Sequence, residues 1–122
     1  MAPVVQSNNS SDNEVLSNCV YFKVHRRDKT EILAICDESL IGKELFNEKA
    51  RMRISADFYC GKKISPSDAL ELIKNYMNIN VVGSALELGI RKKILNKDAI
   101  IWFNTEDGKK IPHLLIFSIP PI

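Results

Sequence analysis

From Cys19 to His25 apolar and polar side chains alternate, with Val20, Phe22 and Val24 on one side of an extended chain and Tyr21, Lys23 and His25 on the other. That period of two predicts a half-buried strand. The polar run Arg26-Arg27-Asp28-Lys29-Thr30 leads into the apolar run Ile32-Leu33-Ala34-Ile35-Cys36, which predicts a second strand and a hairpin with a charged tip. Residues 37–50 show no period and are read as irregular. Arg51 and Arg53 alternate with Met52 and Ile54, predicting a third strand with a wet basic face. The pattern then becomes helical. In Ser65-Pro66-Ser67-Asp68 the serine can cap free backbone N–H groups, the proline suits the first helical position, and the aspartate faces the positive end of the dipole. Ala69, Leu72, Ile73, Tyr76 and Met77 follow at helical spacing, predicting an amphipathic helix of about three turns. Asn80 is read as the cap of a second helix with the stripe Val82, Ala85, Leu86, Gly89 and Ile90, ending at Arg91-Lys92-Lys93. Residues 99–103 and 113–117 are β-rich runs joined by a turn that contains Asp107-Gly108. Pro112 before the last run and Pro120 and Pro121 after it mark an edge strand or a strand end. The order β-β-β-α-α-β-β predicts an α+β domain, with an antiparallel or mixed sheet of about five strands and two adjacent helices.

Residues 1–18 are rich in Asn and Ser and offer little to bury, so they are expected to form a flexible tail ahead of a single domain over 19–122. The 122-residue chain has 17 basic and 15 acidic side chains, a formal +2. Asp12 and Glu14 lie in the tail, which has no Lys or Arg, so 17 basic and 13 acidic groups leave +4 on the remaining 104 residues. That balance is far from a histone-like tail and does not by itself announce nucleic acid. Cys19, Cys36 and Cys60 are three widely spaced thiols, which speaks against a secreted disulfide scaffold. With no long apolar run and no secretory-type start, a cytoplasmic location away from membranes is expected.

Strict chemical motifs are missing. Gly42, Gly61, Gly83, Gly89 and Gly108 form neither G-x-G-x-x-G nor a P-loop. Gly83 is read as a point of close helix packing, with an anion site at a helix start as the sharper alternative. The cysteines, His25 and His113 lack the short spacing of metal ligands, so neither metal nor cofactor is expected, and the cysteines are read as small apolar fillers. His113 stands out, because an imidazole at the entrance to an apolar strand usually has a specific partner. Arg26, Arg27, Arg51, Arg53, Arg91, Lys92 and Lys93 would make a phosphate-binding stripe if folding gathers them on one face. Tyr21, Tyr59 and Trp102 are the aromatic candidates for stacking on bases.

Four motifs occur in order: CDESLIGK at 36–43, FYCGKKIS at 58–65, INVVGSALELGI at 79–90 and IPHLLIF at 111–117. Their order and spacing resemble the small archaeal family known as domain of unknown function 424. The resemblance spans about residues 19–118 and rests on Asp37, Glu38, Gly42, Phe58, Tyr59, Gly61, Asn80, Val82, Gly83, Pro112 and His113. It implies an archaeal cytoplasmic protein associated with the translation apparatus. The leading expectation is therefore a non-enzymatic module that contacts RNA or a ribosomal subunit through the seven basic residues. The alternative is a small enzyme in which His113 acts as acid or base beside Asp37 or Glu38, with Tyr59 and Asn80 in the pocket. A third reading is a protein–protein adaptor that uses an edge strand or an apolar helix face.

Overall fold

The computed structural model describes residues 18–118. The expected tail over 1–18 and the closing prolines Pro120 and Pro121 lie outside that range, apart from Asn18. Eight strands make one sheet: β1 (Val20–Arg27), β2 (Thr30–Asp37), β3 (Glu44–Phe46), β4 (Arg51–Arg53), β5 (Lys62–Ile64), β6 (Ile79–Val82), β7 (Ile101–Asn104) and β8 (Lys110–Ile116). Their spatial order is β4-β3-β7-β8-β6-β2-β1-β5. Every neighbouring pair is antiparallel except β2 and β6, which run parallel. Three short helices complete the fold: α1 (Ala56–Tyr59), α2 (Pro66–Ile73) and α3 (Ser84–Arg91).

The expectation of about five strands and two helices is thus corrected to eight strands and three helices among the described residues. The elements missed are β3, β5 and α1, each only three or four residues long, too short to show a period. A larger misreading concerns residues 79–82. Asn80 is not a helix cap: Ile79, Asn80, Val81 and Val82 form β6, paired with Leu33, Ala34, Ile35 and Cys36, and α3 begins only at Ser84. The β-branched run extends here because it has a partner strand, and tertiary pairing overrides the local helical reading. The first helix stops after Ile73, leaving Met77 exposed beyond it. β8 is interior rather than an edge, lying between β7 and β6 with Pro112 buried.

The β1–β2 hairpin forms as its alternation dictates, turning at Asp28 in the left-handed region (φ 56°), a conformation that aspartate tolerates. The odd positions of β2 and β6, including Leu33, Ile35, Ile79 and Val81, pack with Leu114 against Leu70, Ile73, Ala85, Leu86 and Leu88 of α2 and α3. The opposite face carries Ala34, Cys36, Leu45, Val82, Phe103 and Ile111 against Tyr59 of α1.

β4 and β5 are the two outermost strands, joined only by residues 54–61, which include α1. A flat sheet of eight strands would place its edges roughly 34 Å apart, whereas eight residues with one helical turn reach roughly 23 Å. The sheet therefore curls toward α1 into a half-barrel, and α1 lies on its concave face. Gly61 lets this segment lie flat on β1, since a Cβ there would come within 2.2 Å of the Phe22 carbonyl oxygen.

Candidate functional site

Asn80 sits in the middle of the sheet with Ala34 on one side and Leu115 on the other, and strand alternation turns it to the concave face with Cys36 and Val82. His113 reaches the same face from β8, where it pairs with Val82 and with Ile101 of β7. Tyr59 descends from α1. Its hydroxyl lies 2.8 Å from Asn80 Oδ1, and His113 Nε2 lies 2.9 Å from the same oxygen. Three of the five residues expected at an active site therefore converge.

Their chemistry fixes the hydrogen positions. Tyr59 is only 4% exposed, and Asn80 is the hydrogen-bond partner of its hydroxyl. A buried phenol needs an acceptor, so the amide must present its oxygen to Tyr59. The same oxygen can then only accept from His113, which places the imidazole proton on Nε2. Burial lowers the His113 pKa, in keeping with a neutral ring, and burial raises that of Tyr59 ahead of the nearby Cys36. Both lone pairs of Asn80 Oδ1 are used, while among the described residues no buried side-chain nitrogen or oxygen lacks a partner. The Asn80 amide nitrogen, which takes no part in these bonds, therefore reaches solvent.

Aromatic and apolar groups frame the cluster. Phe103 meets the His113 ring edge-on at 5.9 Å. His25 stacks on Phe58 at 4.5 Å and 14°, and donates from Nε2 to the Phe58 carbonyl oxygen at 2.7 Å. Phe58 in turn packs edge-on against Tyr59 at 4.9 Å. Beyond the shelter of α1 the face is open: Ile101 is 56% exposed, Leu115 59% and Phe117 56%. Ile101 and Leu115 share the face of His113, and Phe117 continues the alternation just past β8. Of this frame Phe58, Leu115 and Phe117 lie within the sequence motifs, whereas His25, Ile101 and Phe103 lie outside them and are brought in by pairings that sequence order does not show. Among the aromatics expected to stack, Tyr59 is buried, Tyr21 is half-buried under Lys63 at 5.7 Å, and Trp102 is exposed.

Asp37 and Glu38 lie elsewhere. Glu38 forms an exposed ion pair with Lys63 at 3.0 Å. Asp37 points to the opposite face, where its carboxylate accepts from the Ser84 backbone N–H at 3.0 and 3.1 Å and from the Ser84 hydroxyl at 2.6 Å. Gly83 is the N-cap of α3, with φ 102°, and a Cβ there would lie 2.6 Å from Asp37 Oδ2. The helix start considered as an anion site is thus filled by the protein's own carboxylate, which supplies the cap that glycine cannot. Burial raises the Asp37 pKa to about 6, against the lowering effect of the Ser84 hydrogen bonds.

The seven basic candidates fall in three places. Arg26 and Arg27 end β1 near one side of the sheet, with Arg26 paired to Glu31. Arg51 and Arg53 lie on β4 at the opposite edge, with Arg51 bound to Glu44 at 2.9 Å. Arg91 ends α3 on the helix-covered face, followed by Lys92 and Lys93. Of the cysteines, Cys36 is buried and fills the core, Cys60 is partly buried and Cys19 is exposed.

The family model for a "Protein of unknown function (DUF424)" matches residues 25–114, a span holding Asp37, Tyr59, Asn80, Gly83 and His113. The chain belongs to the DUF424 family. The match agrees with the resemblance carried by the four motifs, which in this DUF424 fold bring Tyr59, Asn80 and His113 to a single point. A solved structure described as an uncharacterized conserved protein from Methanopyrus kandleri is 29% identical, with a TM-score of 0.58 over 85% of this chain and 96% of that one. No curated protein matches.

Proposed function

We propose that this DUF424 chain is a non-enzymatic RNA-binding module that takes an unpaired base on the open end of its concave face. The supporting observation is the uncharged donor–acceptor cluster of Tyr59, Asn80 and His113, bordered by exposed Ile101, Leu115 and Phe117. Neutral amide and imidazole groups beside apolar and aromatic surface suit a nucleobase, which offers a flat apolar face and a polar edge. The acid–base alternative is less well supported, because a carboxylate should stand beside His113 and both Asp37 and Glu38 are engaged elsewhere. Ribosomal RNA in the cytoplasm is the source that fits a translation-associated role.

Fluorescence anisotropy with a labelled single-stranded RNA of about twelve nucleotides, and with the matching duplex, tests the reading. Single strands should bind and the duplex should bind more weakly. Phe117→Ala should weaken binding about tenfold, in line with the loss of one stacking contact. Equal affinity for both forms, or no effect of Phe117→Ala, would refute the proposal.

A further inference from the structure

We infer that Asn80 selects the base, admitting one that presents a keto oxygen, as uracil and guanine do, over one that presents an amino group at that edge. The inference rests on the RNA-binding reading and gives its site a specificity. Its starting point is the saturation of Asn80 Oδ1, which accepts at 2.8 Å from Tyr59 and at 2.9 Å from His113. An amide in the open could donate and accept side by side and so read adenine through two bonds. Here the acceptor half is spent inside the protein, and the half that reaches solvent is the N–H₂ group alone.

Tyr59 makes this orientation obligatory. Were the amide turned over, its nitrogen would face the Tyr59 oxygen and the phenolic hydrogen would have no acceptor in a residue that is 4% exposed. A keto oxygen completes the exposed donor, whereas an amino group would meet it donor to donor and lose its own solvation. Ala34 and Leu115, which flank Asn80 in the sheet, carry no side-chain polar group that could receive a misplaced amino group.

The test compares oligouridine with oligocytidine of equal length, since the two pyrimidines are alike in size and differ at the keto or amino position. Oligouridine should bind about five- to tenfold more tightly, the worth of one hydrogen bond made against one refused. In Asn80→Asp the one outward atom of the side chain becomes an acceptor oxygen, and Tyr59 and His113 keep theirs, so the preference should invert even as overall affinity falls from added negative charge. Tyr59→Phe removes the group that holds the amide in place and should bring the two affinities together. Equal affinities in the wild-type protein, with binding still sensitive to Phe117→Ala, overturn the keto selection while leaving the RNA reading intact. An unchanged uridine preference in Asn80→Asp and in Tyr59→Phe also overturns it. Failure of the wild-type protein to bind either strand refutes both.

Discussion

Replacing Asp37 by asparagine should make the protein more stable relative to wild type as the pH rises. The Asp37 side chain is buried against Gly83 and Ser84, with the residue 7% exposed. Its pKa stands at about 6 against an ordinary 3.8. The folded value lies above the unfolded one, so the stability linked to the protonated carboxyl is fully present below about pH 3.9 and is lost as pH rises through about 6. At roughly 1.4 kcal/mol per pH unit, the loss between about pH 4 and pH 7 amounts to about 3 kcal/mol. Asparagine keeps an oxygen to accept from Ser84 and has no proton to lose in this range. Any fixed cost of the amide displaces its curve without tilting it, so the difference between wild type and Asp37→Asn isolates the carboxyl. Urea unfolding followed by circular dichroism reads the effect. With an m-value of roughly 1–3 kcal/mol per molar, the two midpoints should diverge by about 1–3 M across the window. Parallel curves, or a wild-type protein that gains on the variant as pH rises, would refute the argument that burial outweighs the helix start and the Ser84 bonds.

Gly61→Ala should destabilise the protein by about 2 kcal/mol or more, because the new Cβ meets the backbone oxygen of Phe22 at 2.2 Å and cannot be relieved by a side-chain rotation. Gly108→Ala meets nothing within 4 Å and carries only the strain of φ +88°, so it should cost less in the same unfolding assay. His113 should titrate below the ordinary imidazole range in an NMR pH series, since burial disfavours its charged form. Its contribution to stability is then present above the unfolded value of about 6.5 and declines as pH falls toward the folded one. A normal or raised midpoint would contradict the neutral Nε2–H assignment.

Local signals served well where a residue acts on its near neighbours. Ser65 caps α2 by accepting from the Asp68 N–H at 3.0 Å, with Pro66 at the first position, and Asp107-Gly108 turns the β7–β8 hairpin. The pattern was blind to partners supplied from afar. Ile79 to Val82 looks like the start of a helix until β2 is placed beside it, and Asp37 looks like a candidate acid until Ser84 is found 47 residues on. His113 and Tyr59 could be singled out by type, but only the strand order β8-β6-β2 puts Asn80 between them. The exposed frame of Leu115 and Phe117 was legible only as apolar strand, since exposure depends on how far α1 extends over the face. Charge misleads for a related reason: Arg26 and Arg51 read as free cations in the sequence, yet each meets a carboxylate on a neighbouring strand, Glu31 directly opposite Arg26 and Glu44 diagonal to Arg51.

The parallel pairing of β2 with β6 also sets when the site can exist. An antiparallel meander can zip from its turns, but this pair must close a long loop before any ladder bond repays the lost chain entropy. The Asn80 contacts span 21 residues to Tyr59 and 33 to His113, so no hairpin or helix formed early contains the cluster. The three polar groups meet only where α1, β6 and β8 are all in place, which requires the segment between the two sheet edges as well as the central strand pairing. If the site binds a base as proposed, that binding would therefore report the assembled sheet as a whole, since no single hairpin or helix holds all three polar groups.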